Sequence, residues 1–258
     1  MKFPKIKTSL IAAVIISGLG CTYTIADVEQ GAKVSGQLTL GKRSFALPPG
    51  DWIVVSSTEA KVSFNNGSSG SDTKRQYLVQ VDDKNTLKAA MLLNTSLSST
   101  GRIAWNDATC DRKDTLYRDT LDGRLDLPAC LLINHVTNFW GGNMPTNDFD
   151  KTIWNWYRDN KIALPYNVIS INYVKYFAGD FVRNIVWINP EIFGLIDKDK
   201  KAWADSPWHV NYIKSDAQRT AYVEQVKTWS QALVKNNKAS LMDTKPIDPS
   251  LPPLPGLN

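Results

Sequence analysis

Residues 169–188 alternate apolar and polar side chains on both sides of one turn signal, and that pattern commits this part of the chain to antiparallel pairing. Ile169, Ile171 and Tyr173 alternate with Ser170 and Asn172, Ala178-Gly179-Asp180 reverses the chain, and Phe181 to Ile188 returns. A second hairpin is written upstream. Tyr77, Val79 and Val81 alternate with Leu78 and Gln80, Asp82-Asp83-Lys84-Asn85 turns, and Leu87 to Leu93 comes back. Val34 to Leu40, Ser44 to Leu47 and Leu131 to Val136 add further strand patterns, and Pro48-Pro49-Gly50 turns the chain into Trp52-Ile53-Val54-Val55. The segment Asn65 to Asp72 has glycines but no GK[ST] ending and no helix pattern behind it, so it reads as a loop between strands rather than a phosphate cradle.

Two segments carry helical spacing instead. Asn147 or Asp148 can cap a helix whose apolar face is Phe149, Ile153, Trp156 and Tyr157. Near the C-terminus Ser215 and Gln218 form an S-x-x-Q capping box, and Tyr222, Val226, Trp229 and Leu233 recur on one face of an amphipathic helix. Strands, helix, hairpin, helix, with no regular βαβ unit, predict an α+β fold: a mostly antiparallel sheet with two main helices packed on it. Five of the last thirteen residues are proline (Pro246, Pro249, Pro252, Pro253 and Pro255), which predicts an extended tail outside the core. The expected organisation is a signal peptide over 1–26, a single α+β domain over 27–241, and a proline-rich flexible tail over 242–258.

The signal peptide is read from Lys2, Lys5 and Lys7, the short apolar run Ser9 to Gly20, and the absence of any acid before Asp27. That run is shorter than the roughly 20 apolar residues a membrane-spanning helix needs. Thr24-Ile25-Ala26 offers a peptidase site that would make Asp27 the mature N-terminus. Alternatively, Ser17-Gly18-Leu19-Gly20-Cys21 resembles a bacterial lipobox, with Gly20 fitting the pattern and Leu19 one place closer to the cysteine than usual. That resemblance implies lipidation at Cys21 and an envelope protein held on a membrane by its lipid. The expected location is the periplasm or the extracellular space, or, by the second route, a lipid-anchored envelope position.

Either route leaves Cys110 and Cys130 as the other cysteines, and an oxidising compartment predicts a disulfide between them. Export also revises the charge. Of the 30 basic residues three are the signal lysines, so 27 remain against 25 acidic ones. A balanced mature chain lacks the cationic surplus that binding to nucleic-acid phosphates requires.

The chemistry is narrow. The chain has two histidines, His135 and His209, with no G-x-S-x-G elbow for a serine triad and no second His or Cys at zinc-ligand spacing. Aspartates crowd 107–126, but their spacing is irregular and arginines are interleaved, unlike a calcium loop. No cofactor, metal or catalytic residue is predicted. His135 reads as a structural histidine at a strand end, and His209 as the better functional candidate.

Of the nine tryptophans, Trp154, Trp156, Trp187 and Trp229 sit on helix or strand patterns, whereas Trp140, Trp203 and Trp208 do not. Unplaced rings beside Asn and Asp suit glycan recognition, because a ring covers the C–H face of a sugar while polar neighbours bind its hydroxyls. The expected function is therefore a non-catalytic binding or interaction module of the cell envelope. Its candidate surface is Trp140, Trp203, Trp208 and His209, and its partner a glycan or other envelope component. The alternative is an envelope hydrolase working through carboxylates or His209.

Overall fold

The computed structural model describes residues 28–64, 69–98, 110–124, 127–177, 179–242 and 251–256. The predicted signal peptide, Cys21 and both cleavage sites lie outside these residues. Among the described residues ten strands and two α-helices follow one another: β1 (Lys33–Val34), β2 (Gln37–Leu40), β3 (Arg43–Ala46), β4 (Trp52–Phe64), β5 (Ser69–Val81), β6 (Leu87–Ser96), β7 (Tyr117–Asp122), β8 (Ala129–Thr137), α1 (Asp148–Asp159), β9 (Asn167–Phe177), β10 (Asp180–Ile188) and α2 (Ala217–Met242). The fold is α+β, built on one eight-stranded sheet in the order β1-β4-β5-β6-β10-β9-β8-β7, with β2-β3 as a separate hairpin.

Every pairing in that sheet is antiparallel. Two meanders, β4-β5-β6 and β7-β8-β9-β10, are joined edge to edge where Val186 of β10 lies opposite Met91 of β6, and β1 adds the eighth strand outside β4. Turn chemistry fixes the hairpins. Asp82 accepts the backbone N–H groups of Lys84 and Thr86 on its carboxylate, and Asn85 takes a left-handed backbone at φ 59°. Gly50 precedes β4 at φ +107°, and a Cβ there would meet the Gln80 amide at 2.2 Å, so this turn requires glycine. Strand β4 runs to Phe64 and β5 starts at Ser69, so Ser69 to Asp72 of the loop expected over 65–72 are strand, and 65–68 lie outside the described residues.

Alternation sends side chains to two cores. One face of the sheet carries Leu78, Met91, Leu131, Ile133, Ile169, Ile171, Tyr173 and Val186, and it is covered by β2-β3 and by Tyr222, Val226, Trp229 and Leu233 of α2. The other carries Tyr77, Val79, Ala90 and Val168 against Phe149, Ile153 and Tyr157 of α1. Asn147 caps α1, its side chain accepting the Asp150 N–H at 2.9 Å.

The capping of α2 departs from the S-x-x-Q reading. Asp216 is the residue that accepts the Arg219 N–H, at 3.0 Å, while Ser215 ends a preceding 3₁₀ turn and donates to the Tyr212 carbonyl. Asp216 prevails because its carboxylate also pairs with the Arg219 side chain, whose other nitrogen binds Asp197 at 2.6 Å.

The C-terminal segment corrects a second expectation. Residues 251–254 run without helix or strand into a turn at Pro255-Gly256, but Leu251 and Leu254 are each 2% exposed within the α2-side core. The Trp229 indole N–H donates to the Pro252 carbonyl at 3.0 Å, which holds this strap along α2. Burying two leucines offsets the entropy of ordering so short a segment, at roughly 1.5–3 kcal/mol each.

Cys110 and Cys130 form a disulfide, with Cα atoms 5.7 Å apart. It closes a segment that itself contains β7, a polar edge strand paired with β8 from Tyr117–Ile133 to Asp122–Ala129.

Candidate functional site

Strand β8 turns His135 to the α2 side of the sheet, in line with Leu131 and Ile133. There the irregular segment 189–216 crosses over it. Trp203 begins a 3₁₀ turn, the Ser206 hydroxyl accepts the Trp208 N–H at 3.2 Å, and the Ser206 carbonyl accepts the His209 N–H at 2.8 Å. Trp203 is thereby laid flat on His135, ring centroids 5.2 Å apart and planes 2° from parallel. Two reciprocal hydrogen bonds lock the stack: the indole N–H donates to the His135 carbonyl, and His135 Nε2 donates to the Trp203 carbonyl, both at 3.1 Å. The His209 ring stands edge-on to Trp203 at 4.5 Å and to His135 at 6.0 Å.

Charge reaches this cluster from the disulfide-closed segment. Arg112 lies over the Trp203 ring at 5.5 Å and is held by two bonds to Asp114, at 2.7 and 3.2 Å. The Arg112 guanidinium keeps the Asp114 carboxyl below the usual carboxylate range. The Asp114 carbonyl in turn accepts from Asn134, the neighbour of His135.

The two imidazoles are both engaged. His135 is 2% exposed, its Nδ1 is buried without a partner, and desolvation pushes its pKa down to about 4, outweighing the Trp203 carbonyl that favours the charged form. It is a neutral structural ring, as its position at a strand end suggested. His209 is 7% exposed, and its Nδ1 accepts the Asn211 N–H at 3.3 Å, which leaves the proton on Nε2.

The four candidates do not share a surface. Trp208 is 0% exposed, packed against Tyr222 at 6.1 Å and under Arg219 at 5.2 Å. The Ser206-Pro207 turn folds it into the core beneath α2, so it presents no face to a ligand. Trp140 lies on the opposite side of the sheet, half-buried in the α1-side core, and its indole N–H donates to the Tyr77 hydroxyl at 3.1 Å. Left-handed backbone at Asn138 (φ 52°) and Trp140 (φ 56°) aims the ring inward. Tyr77 and Tyr157 share a hydrogen bond of 3.0 Å beneath it, and burial raises both phenols above their ordinary range, so neither serves as a base. Trp203 and His209 are therefore the pair that stays together.

Tyr212 joins them. The His209 carbonyl accepts its N–H at 2.8 Å, and its ring lies 6.0 Å from His209 and is 47% exposed. It opens onto a hollow of about 640 Å³ lined also by Lys201, Ala202, Asp205 and Pro207. Sequence reasoning passed over Tyr212 because it sits in no periodic segment. The clustering of aromatic and imidazole residues at 203, 208, 209 and 212 was the available signal.

Two other features are built differently. A cleft of about 700 Å³ runs between Gln225, Thr228 and Trp229 of α2 and Pro252 to Gly256 of the strap. On the sheet side of the α2 N-terminus, Asp197 accepts from Asn167 and Arg219; burial raises its pKa against the pull of the guanidinium. Among the described residues no three His, Cys, Asp or Glu side chains form a group that could hold a metal, and no helix is long and apolar enough to cross a membrane. Comparison with protein-family models, curated proteins and solved structures finds no match.

Proposed function

We propose that this chain is an exported, non-catalytic binding module of the cell envelope, which takes a glycan or other envelope component at the Trp203–His209–Tyr212 shelf. The observation that carries the reading is Tyr212: a large ring, nearly half exposed, braced from behind by His209 and Trp203 and flanked by Lys201 and Asp205. A braced ring loses little freedom on contact, and a cation and a carboxylate beside it can bind hydroxyls at its rim. Trp140 and Trp208 drop out of the surface first read from the sequence. Catalysis by His135 or His209 is disfavoured by what those rings already do, since one is stacked, buried and neutral and the other has its Nδ1 committed to Asn211.

Export rests on the basic, then apolar, acid-free start of the chain, and the disulfide is compatible with it. N-terminal sequencing of the secreted form distinguishes a start at Asp27 from a lipidated Cys21. The binding reading is tested by calorimetry with soluble oligosaccharide fragments of envelope polymers. Tyr212→Ala should abolish the heat of binding without moving the melting temperature. Binding that survives Tyr212→Ala would remove the shelf from the argument, and turnover of the fragments would favour a hydrolase instead.

A further inference from the structure

Among the described residues the outer side of β4 is covered only at its beginning. Strand β1 pairs with Trp52 and Ile53, and Val54 exchanges bonds with Gly31 and Ala32. After the register shift between Val54 and Ser56, no described strand lies outside β4, although β4 continues to Phe64.

The orientation of the backbone along that stretch follows from its neighbours. Lys61 lies opposite Asp72, and the Asp72 carbonyl is turned away from β4 to accept the Leu97 N–H at 2.7 Å. Lys61–Asp72 is therefore a non-hydrogen-bonded pair, and the Lys61 N–H and C=O point outward. One residue back, the Ala60 carbonyl points inward and accepts the Thr73 hydroxyl at 2.9 Å. By alternation Ser57, Glu59, Lys61 and Ser63 present their backbone groups to the open edge. The Thr58 hydroxyl donates to the Glu59 carbonyl at 3.3 Å.

We propose that this edge pairs with the same edge of a second copy, antiparallel about a two-fold axis at Ala60, extending the sheet across two molecules. Four outward residues admit three central axes, and charge separates them. An axis at Glu59 sets Glu59 against Glu59, and one at Lys61 sets Lys61 against Lys61. The axis at Ala60 sets each Glu59 against Lys61 of the second copy and each Ser57 against Ser63, so every outward residue finds a partner and both charged pairs attract. Single charges on an open strand ordinarily repel a copy. Here the order Glu-Ala-Lys makes them self-complementary, and Glu59, 59% exposed at its side chain, is free to face a second cation besides Lys74.

The oligomeric state of the purified protein tests this by light scattering across a dilution series. A dimer is expected, and Lys61→Glu, which sets two like-charged pairs across the axis, should weaken it about tenfold or more. Ala60→Cys places the two thiols opposite each other in a close pair and should give a covalent dimer on mild oxidation. Thr58→Cys, four residues out of register with its own copy, should not. A monomer at every concentration, or a dimer that Lys61→Glu leaves unchanged and Ala60→Cys does not cross-link, overturns the proposal.

Discussion

Acid should weaken this protein through the His135 imidazole. His135 is folded neutral, with its proton on Nε2 facing the Trp203 carbonyl, and its pKa is depressed from 6.5 to about 4. In the unfolded chain it titrates near 6.5. Above about pH 6.5 both states are neutral and the fold carries no penalty, whereas between 6.5 and 4 the unfolded state binds the proton and the folded state does not. Stability is therefore lost as pH falls through this range, at about 1.4 kcal/mol per pH unit, and the loss saturates near about 3 kcal/mol. The residue is nearly inaccessible, so solvent screening does not cut that figure down. His209, Arg112 and Asp114 face it; the first two oppose its charge and the third favours it.

Four described carboxylates depart from their ordinary pKa, and none of them weakens the fold in that window. Asp114, Asp122 and Asp216 are held below their ordinary pKa by arginine contacts and backbone N–H bonds, so what they contribute disappears only below about pH 4. Asp197, raised by burial, takes up its proton first in the fold and works in the opposite direction. Urea unfolding at a series of pH values, on the parent and on His135→Gln, isolates the imidazole. Glutamine keeps an N–H for the Trp203 carbonyl but does not titrate. The difference in unfolding free energy between the two proteins should shift by about 3 kcal/mol from pH 7 to pH 4 in favour of the variant. Parallel curves, or an NMR titration that places His135 near 6.5, would refute the reasoning.

Leu254→Ala should cost about 2–4 kcal/mol by urea unfolding, because Leu254 fills the core between α2 and the strap. Removal of residues 251–258 should cost more, and an unchanged melting temperature would show that the strap contributes nothing. Asp216→Ala should cost about 1–2 kcal/mol, since it removes a helix cap and one of the two carboxylates on Arg219. Ser215→Ala should stay within about 0.5 kcal/mol, and equal effects at 215 and 216 would contradict the assigned cap.

The hairpins and the buried face of α2 were legible because their signals are local. A period of two around Asp82-Asn85 or Gly179 needs no distant partner, and Tyr222, Val226, Trp229 and Leu233 announce their face by spacing alone. The order of strands was not legible, since β6 meets β10 across nearly a hundred residues and nothing in Ala89 to Thr95 names Val182 to Ile188 as its neighbour. Strand β7 was hidden for a different reason. As an edge strand with Arg118 and Thr120 exposed, Tyr117-Arg-Asp-Thr-Leu-Asp122 has the composition of a loop. The tail shows the limit of composition most plainly. Prolines set the conformation of 251–255 but not its company, and burial of Leu251 and Leu254 depends on a groove that exists only once α2 is docked.

The tryptophans admit one further step. Trp52 donates its indole N–H to the Pro48 carbonyl, Trp140 to the Tyr77 hydroxyl, Trp203 to the His135 carbonyl and Trp229 to the Pro252 carbonyl. In each case one end of the bond lies in a segment with no ladder of its own: the turn before β4, the loop after β8, the crossing over β8, and the strap. An indole joins a large apolar face to a single directed donor, so it can be buried and still tie an irregular backbone to a regular one. A chain with long irregular connections and a large sheet gains from several such ties. This accounts for most of the unplaced rings without a ligand. It leaves Tyr212, whose hydroxyl and outer face are not needed to hold its own segment, as the ring on which the binding hypothesis must stand.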